Sequence, residues 1–110
     1  MTVLTVYEMD YDGVNVAAAY VAAAVGQIAP STGREFIHIK NASGGAITCT
    51  LSLNDYAGIA VDDVVITVGA TTGEQMAGPF SPAHFSATTD GVALTWSATA
   101  SVTVGVFRLP

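Results

Sequence analysis

With one cysteine in the sequence, no disulfide can form within the chain, and the fold must hold without covalent staples. Cys49 lies in the alternating stretch Ile47-Thr48-Cys49-Thr50-Leu51, which predicts a small buried hydrophobe. A thiolate nucleophile needs an electropositive, partly exposed setting, and no base lies close in sequence. Positive charge is scarce too: three Lys and Arg face nine Asp and Glu, for a net charge of −6. Arg34, Lys40 and Arg108 form no run. Nucleic-acid affinity comes largely from cations neutralising phosphates, so this balance argues against a nucleic-acid partner and against an anionic membrane surface.

Ligand sets are missing as well. The two histidines, His38 and His84, have no clustered Cys, His or carboxylate at zinc-site spacing. Glu8, Asp10 and Asp12 alternate at a strand end, and Asp62 and Asp63 adjoin with Asp55 nearby. Calcium takes six to eight oxygens, whereas acids at strand ends more simply solvate turns and blunt edges. No Gly-x-Ser-x-Gly elbow occurs, and Gly44-Gly45 sits between two strands rather than ahead of a phosphate-binding helix. Aromatics, at 8%, are too few to line a sugar cleft between paired carboxylates. The expectation is therefore no enzyme, no metal and no cofactor. Asn41-Ala42-Ser43 matches a glycosylation sequon but reads as a turn.

Long apolar runs are also lacking. Val16–Val25 is shorter than the ~20 residues that span a bilayer, and acids rather than bases precede it, unlike a signal peptide. The chain is expected to be made in the cytoplasm and not exported.

What the sequence does have is a surplus of small apolar residues. Apolar residues make up 51% and charged residues 11%, against roughly 25% charged in an ordinary soluble domain. The 110 residues suit one domain over 1–110. A domain of that size cannot hide half its residues in one core, and burial against a partner is the simplest outlet.

Strand signals dominate. Thr2–Met9 is β-branched and ends at the turn Asp10-Tyr11-Asp12-Gly13. Val14–Ala24 reads as a short strand followed by irregular chain, because Gly26, Pro30 and Gly33 stop any helix. In Glu35–Lys40, Ile37 and Ile39 face one way and Phe36, His38 and Lys40 the other. Asn41–Gly45 reads as a turn into a hairpin partner, Ala46–Leu53, and Asn54–Ile59 as a loop. Asp63–Val68 and Glu74–Phe80 read as a second hairpin, with the prolines of Gly78-Pro79-Phe80-Ser81-Pro82 placing the latter at a sheet edge. His84–Thr89 is expected to meet Val92–Ala98 across Asp90-Gly91. Val92, Leu94 and Trp96 share one face, as do Val102, Val104 and Val106. About eight or nine short strands at this spacing predict an all-β fold, a single β-sandwich, either jelly-roll-like or Ig-like.

The order of Gly33-Arg34-Glu35-Phe36-Ile37-His38-Ile39-Lys40-Asn41, Val64-Val65-Ile66-Thr67-Val68, Gly78-Pro79-Phe80 and the closing Val92–Ala98, Val102–Arg108 hairpin resembles small head proteins of tailed bacteriophages. These are capsid decoration, or cement, proteins. The resemblance implies a compact β-domain that binds the outside of an assembled shell, often as a homotrimer, with the major capsid protein as partner. It implies no catalytic residues, and it places the protein in the virion, on the capsid exterior. A virion-displayed glycan-binding module and another head or tail component are the alternatives.

Contact with a partner must use apolar surface that the core does not need. Two segments qualify: the Ala-rich stretch, with Ala22, Ala23 and Val25, and the turn holding Pro79 and Phe80.

Overall fold

The computed structural model describes residues 2–10, 12–53, 63–80 and 91–110. The chain folds as a β-sandwich, with ten strands and one helical turn among these residues. One sheet has the spatial order β1 (Thr2–Val3), β4 (Gln27–Ala29), β9 (Val92–Trp96), β6 (Ile47–Leu51), β7 (Val64–Val68). The other has the order β2 (Val6–Glu8), β10 (Val102–Arg108), β5 (Glu35–Asn41), β8 (Gly73–Ala77). A short β3 (Val21–Ala22) lies beside β2 on β10, pairing with Thr103 and Val104 while β2 pairs from Val106 to Arg108. β1 and β2 run parallel to their neighbours, and every other described pair is antiparallel.

Alternation explains the core. Ile37 and Ile39 of β5 face inward with Val102, Val104 and Val106 of β10, and all are buried. From the first sheet, Ile47, Cys49, Leu51, Val68, Val92 and Leu94 meet them, also buried. Period-two burial of this kind is what two facing sheets require. Trp96 shares the inward face of Val92 and Leu94 but lies at the rim, where it is half-buried against the core.

Two polar residues sit on the same inward face. Glu35 is fully buried opposite Arg108 in the β5–β10 register, its carboxylate 2.7 Å from the guanidinium Nε. The Thr32 backbone N–H and hydroxyl both donate to that carboxylate at 2.6 Å. Asn41, also buried, donates through Nδ2 to the carbonyls of Gly45 (2.9 Å) and Gly69 (3.0 Å) and accepts from the Ser43 N–H and hydroxyl. Its amide is thus consumed by the turn and is not displayed on the surface.

The connections differ from the expected hairpins. β5 is flanked by β10 and β8, so the turn after Asn41 carries the chain across to β6 in the opposite sheet. The turn after Val68 likewise crosses from β7 to β8, and the one after Trp96 from β9 to β10. Both edges of β5 and of β9 are taken by strands distant in sequence, which leaves no room for a sequence neighbour. Thr2–Met9 divides into β1 and β2, one in each sheet. Val14–Ala24 contributes one helical turn, α1 (Val16–Ala19), before β3. The expected loop at Asn54–Ile59 and strand at His84–Thr89 fall outside the described residues.

Candidate interaction surface

The outward face of the second sheet carries the richest set of side chains. Phe36, His38 and Lys40 point outward from β5, with Phe107 from β10 and Glu74 and Met76 from β8 alongside. Phe36 stacks on Phe107, its register partner, with centroids 5.6 Å apart. Tyr20, at the end of α1, lies edge-on to Phe107 at 5.9 Å and to His38 at 5.5 Å, and Lys40 Nζ sits 4.2 Å from its ring centre. A side chain at position 105 would crowd Tyr20 and Phe107, which suits the glycine there.

Tyr20, His38 and Glu74 form a chain of contacts: the tyrosine hydroxyl bonds to His38 Nδ1, and His38 Nε2 lies 2.9 Å from Glu74 Oε1. That order evokes a nucleophile, a base and an orienting carboxylate. Burial, with a smaller contribution from Glu74, raises the Tyr20 hydroxyl above its ordinary pKa, which opposes activation of the phenol. Its ring is hemmed in by Phe107, His38 and Lys40. The chain serves to fasten the α1–β3 segment to the sheet. It also engages Tyr20, Phe36 and Phe107 with one another, leaving these rings little face for a sugar.

Beyond this cluster lies an apolar hollow of about 310 Å³, lined by Phe36, Met76, Ala77, Gly78, Pro79 and Leu109. Met76 is 61% exposed and Leu109 50%. The Gly78-Pro79 bond is cis, and Gly78 has φ +143 with its α-carbon packed on Phe36. The turn sends the next two side chains opposite ways: Pro79 is exposed at the hollow, while Phe80 is buried between the sheets, its N–H bonded to the Glu35 carbonyl at 3.0 Å.

A second exposed apolar feature is the 22–26 turn. Gln27, buried on β4, braces it: Nε2 donates to the Ala22 carbonyl at 2.9 Å, and Oε1 accepts the Ala24 N–H at 3.1 Å. The braced turn presents Val25 with 96% of its surface exposed. Covering that side chain with a partner would be favourable.

Of the five positions expected to meet a partner, Ala22, Val25 and Pro79 are exposed. Ala23 and Phe80 are buried instead. Ala23 continues β3 inward, its N–H bonded to the Val102 carbonyl, and Phe80 fills the end of the core. Met76 and Leu109 were missed, because their exposure follows from β8 being an edge strand and from the chain end lying beside it. Burial pushes the Cys49 thiol up to about 12, out of reach of nucleophilic chemistry at neutral pH. Among the described residues no three His, Cys, Asp or Glu come together as metal ligands, and no helix is long and apolar enough to cross a membrane.

No known protein family, no curated protein and no solved structure matches this chain.

Proposed function

We propose that this protein is a structural component of a tailed-phage virion, binding the outer surface of the capsid and bridging major capsid subunits. The observation that carries the reading is Val25, 96% exposed on a turn that Gln27 holds in place, an ordered apolar side chain that no described residue covers. The hollow between Phe36, Met76, Pro79 and Leu109 supplies a second apolar contact. The resemblance of the ordered segments from Gly33 to Arg108 to capsid decoration proteins supports the same reading.

Function on this account is mass action without chemistry. A protein that binds only the mature lattice stabilises it by its binding free energy. Several weak contacts per assembly add through effective concentration, so a homo-oligomer seated on a symmetric shell, a trimer at a three-fold site for instance, binds more tightly than its single contacts. No cofactor, nucleic acid or membrane takes part, and the place of action is the capsid exterior.

The test is co-sedimentation with expanded phage shells stripped of their decoration protein. Wild-type protein is expected to saturate the shell, and Val25→Lys and Met76→Lys, both at exposed positions, to lower occupancy at least tenfold while melting like wild type. Failure of the wild type to bind, or normal occupancy by both variants, would remove the proposal.

A further inference from the structure

The two sheets end on one flank. β7 is the last strand of its sheet and β8 of the other, the turn through residues 69–72 joins them, and they pack against each other. No strand lies beyond either among the described residues. An open strand edge presents a row of backbone donors and acceptors, and proteins blunt such edges with charge, proline, bulges or brevity. β7 uses none of these within Val64-Val65-Ile66-Thr67-Val68, and Val65 is 59% exposed. In β8, Glu74, Gln75 and Met76 are exposed in succession, on both faces of the strand.

Charge singles out this flank for contact between copies. A molecule with net charge −6 repels itself over most of its surface. Here Glu74 lies 2.9 Å from His38 Nε2 and opposite Lys40 in the β5–β8 register. The other described acid on the flank, Asp63, precedes β7 and accepts the Leu53 N–H at 3.0 Å. Parallel pairing of two β7 strands would stack Asp63 on its counterpart. Antiparallel pairing about Ile66 sets it against Gly69 of the second copy, with the two acids at opposite ends.

We propose that this flank binds the same flank of a second copy, β7 pairing antiparallel with its counterpart about a two-fold axis through Ile66. Backbone pairing supplies the affinity, and the β-branched side chains fix the register. The contact is isologous and closes at two. The solution unit is then a dimer, where the symmetry of a shell alone pointed to a trimer.

The experiment needs only the purified protein, so it is independent of capsid binding. Mass is measured by sedimentation equilibrium at hundreds of micromolar for wild type and for V65K/T67K, V65K/T67E and Val25→Lys, all at exposed positions. About Ile66, position 65 of one copy faces position 67 of the other. V65K/T67K therefore sets lysine against lysine, and V65K/T67E sets lysine against glutamate. The expected masses are twice the protomer for wild type, V65K/T67E and Val25→Lys, and the protomer alone for V65K/T67K, with unchanged Trp96 fluorescence throughout. A monomeric or trimeric wild type overturns the proposal. So does a dimer that survives V65K/T67K, one that V65K/T67E fails to restore, or one that Val25→Lys breaks.

Discussion

The indole N–H of Trp96 donates to the side-chain oxygen of Gln27 at 3.1 Å, the same oxygen that accepts the Ala24 N–H. One buried amide on β4 thus joins the rim of the core to the turn that displays Val25. Gln27→Ala leaves the Trp96 and Ala24 donors without that acceptor, at a cost of about 1–3 kcal/mol. Urea unfolding followed by Trp96 fluorescence measures it, and the native emission is expected to shift. Trp96→Ala should cost about 3–5 kcal/mol, since the ring packs against the core and its N–H is bonded to Gln27.

Acid should act through Glu35. Burial alone would raise its pKa, but the Thr32 hydroxyl, the Arg108 guanidinium and the Thr32 backbone N–H outweigh that and hold it at about 2, against an ordinary 4.5. The folded pKa is depressed, so the stabilisation is complete above about 4.5 and is lost as pH falls through about 2. At neutral pH it contributes about 3 kcal/mol. Melting temperature measured from pH 6 to about pH 2 should fall steeply in the wild type. Glu35→Gln should start lower and show a shallower fall, while equal slopes would place the acid sensitivity elsewhere.

That pair also shows what a single sequence conceals. Strand identity was legible wherever side chains alternate: Ile37 and Ile39 against Phe36, His38 and Lys40, or Val102, Val104 and Val106 in the last strand. The polar members of the same faces were not: Glu35 has local donors in Thr32, but its charge partner Arg108 lies 73 positions away. Turn chemistry announced a change of direction after Asn41 and after Val68. Whether the chain returns beside itself or crosses to the other sheet depends on who already flanks the strand, and β10 occupies one edge of β5 from the far end of the sequence. The contact surface was half legible for the same reason. Pro79 and Phe80 are neighbours with identical prospects until the Gly78 turn sends them to opposite sides of the sheet.

Cys49 should be silent in the native state. Burial excludes both solvent and reagent and pushes the thiol up to about 12. A chromogenic disulfide reagent at pH ~8, near the pKa of a free thiol, is expected to label no thiol natively and one in denaturing urea. Native labelling should proceed at the rate of unfolding and rise with destabilising variants such as Gln27→Ala. Rapid native labelling would mean that the β6–β9 region opens locally.

Gly78 is where fold and contact surface depend on one atom. With φ +143, an L-side chain there is strained, and a β-carbon would lie 2.6 Å from Phe36 Cβ and 2.8 Å from Phe36 Cα. Backbone atoms cannot swing aside as a flexible side chain can, so β5 and the turn must separate. The backbone strain costs about 1–3 kcal/mol and the crowding a similar amount. Gly78→Ala should therefore lose at least about 2 kcal/mol of stability by urea unfolding. It should also displace Pro79 and Phe36 together, opening the hollow and drawing Phe80 from the core. The effect on shell binding should then exceed that of Met76→Lys, because both walls of the contact move. A Gly78→Ala protein with wild-type stability and full shell occupancy would show that the close packing on Phe36 does not position this surface.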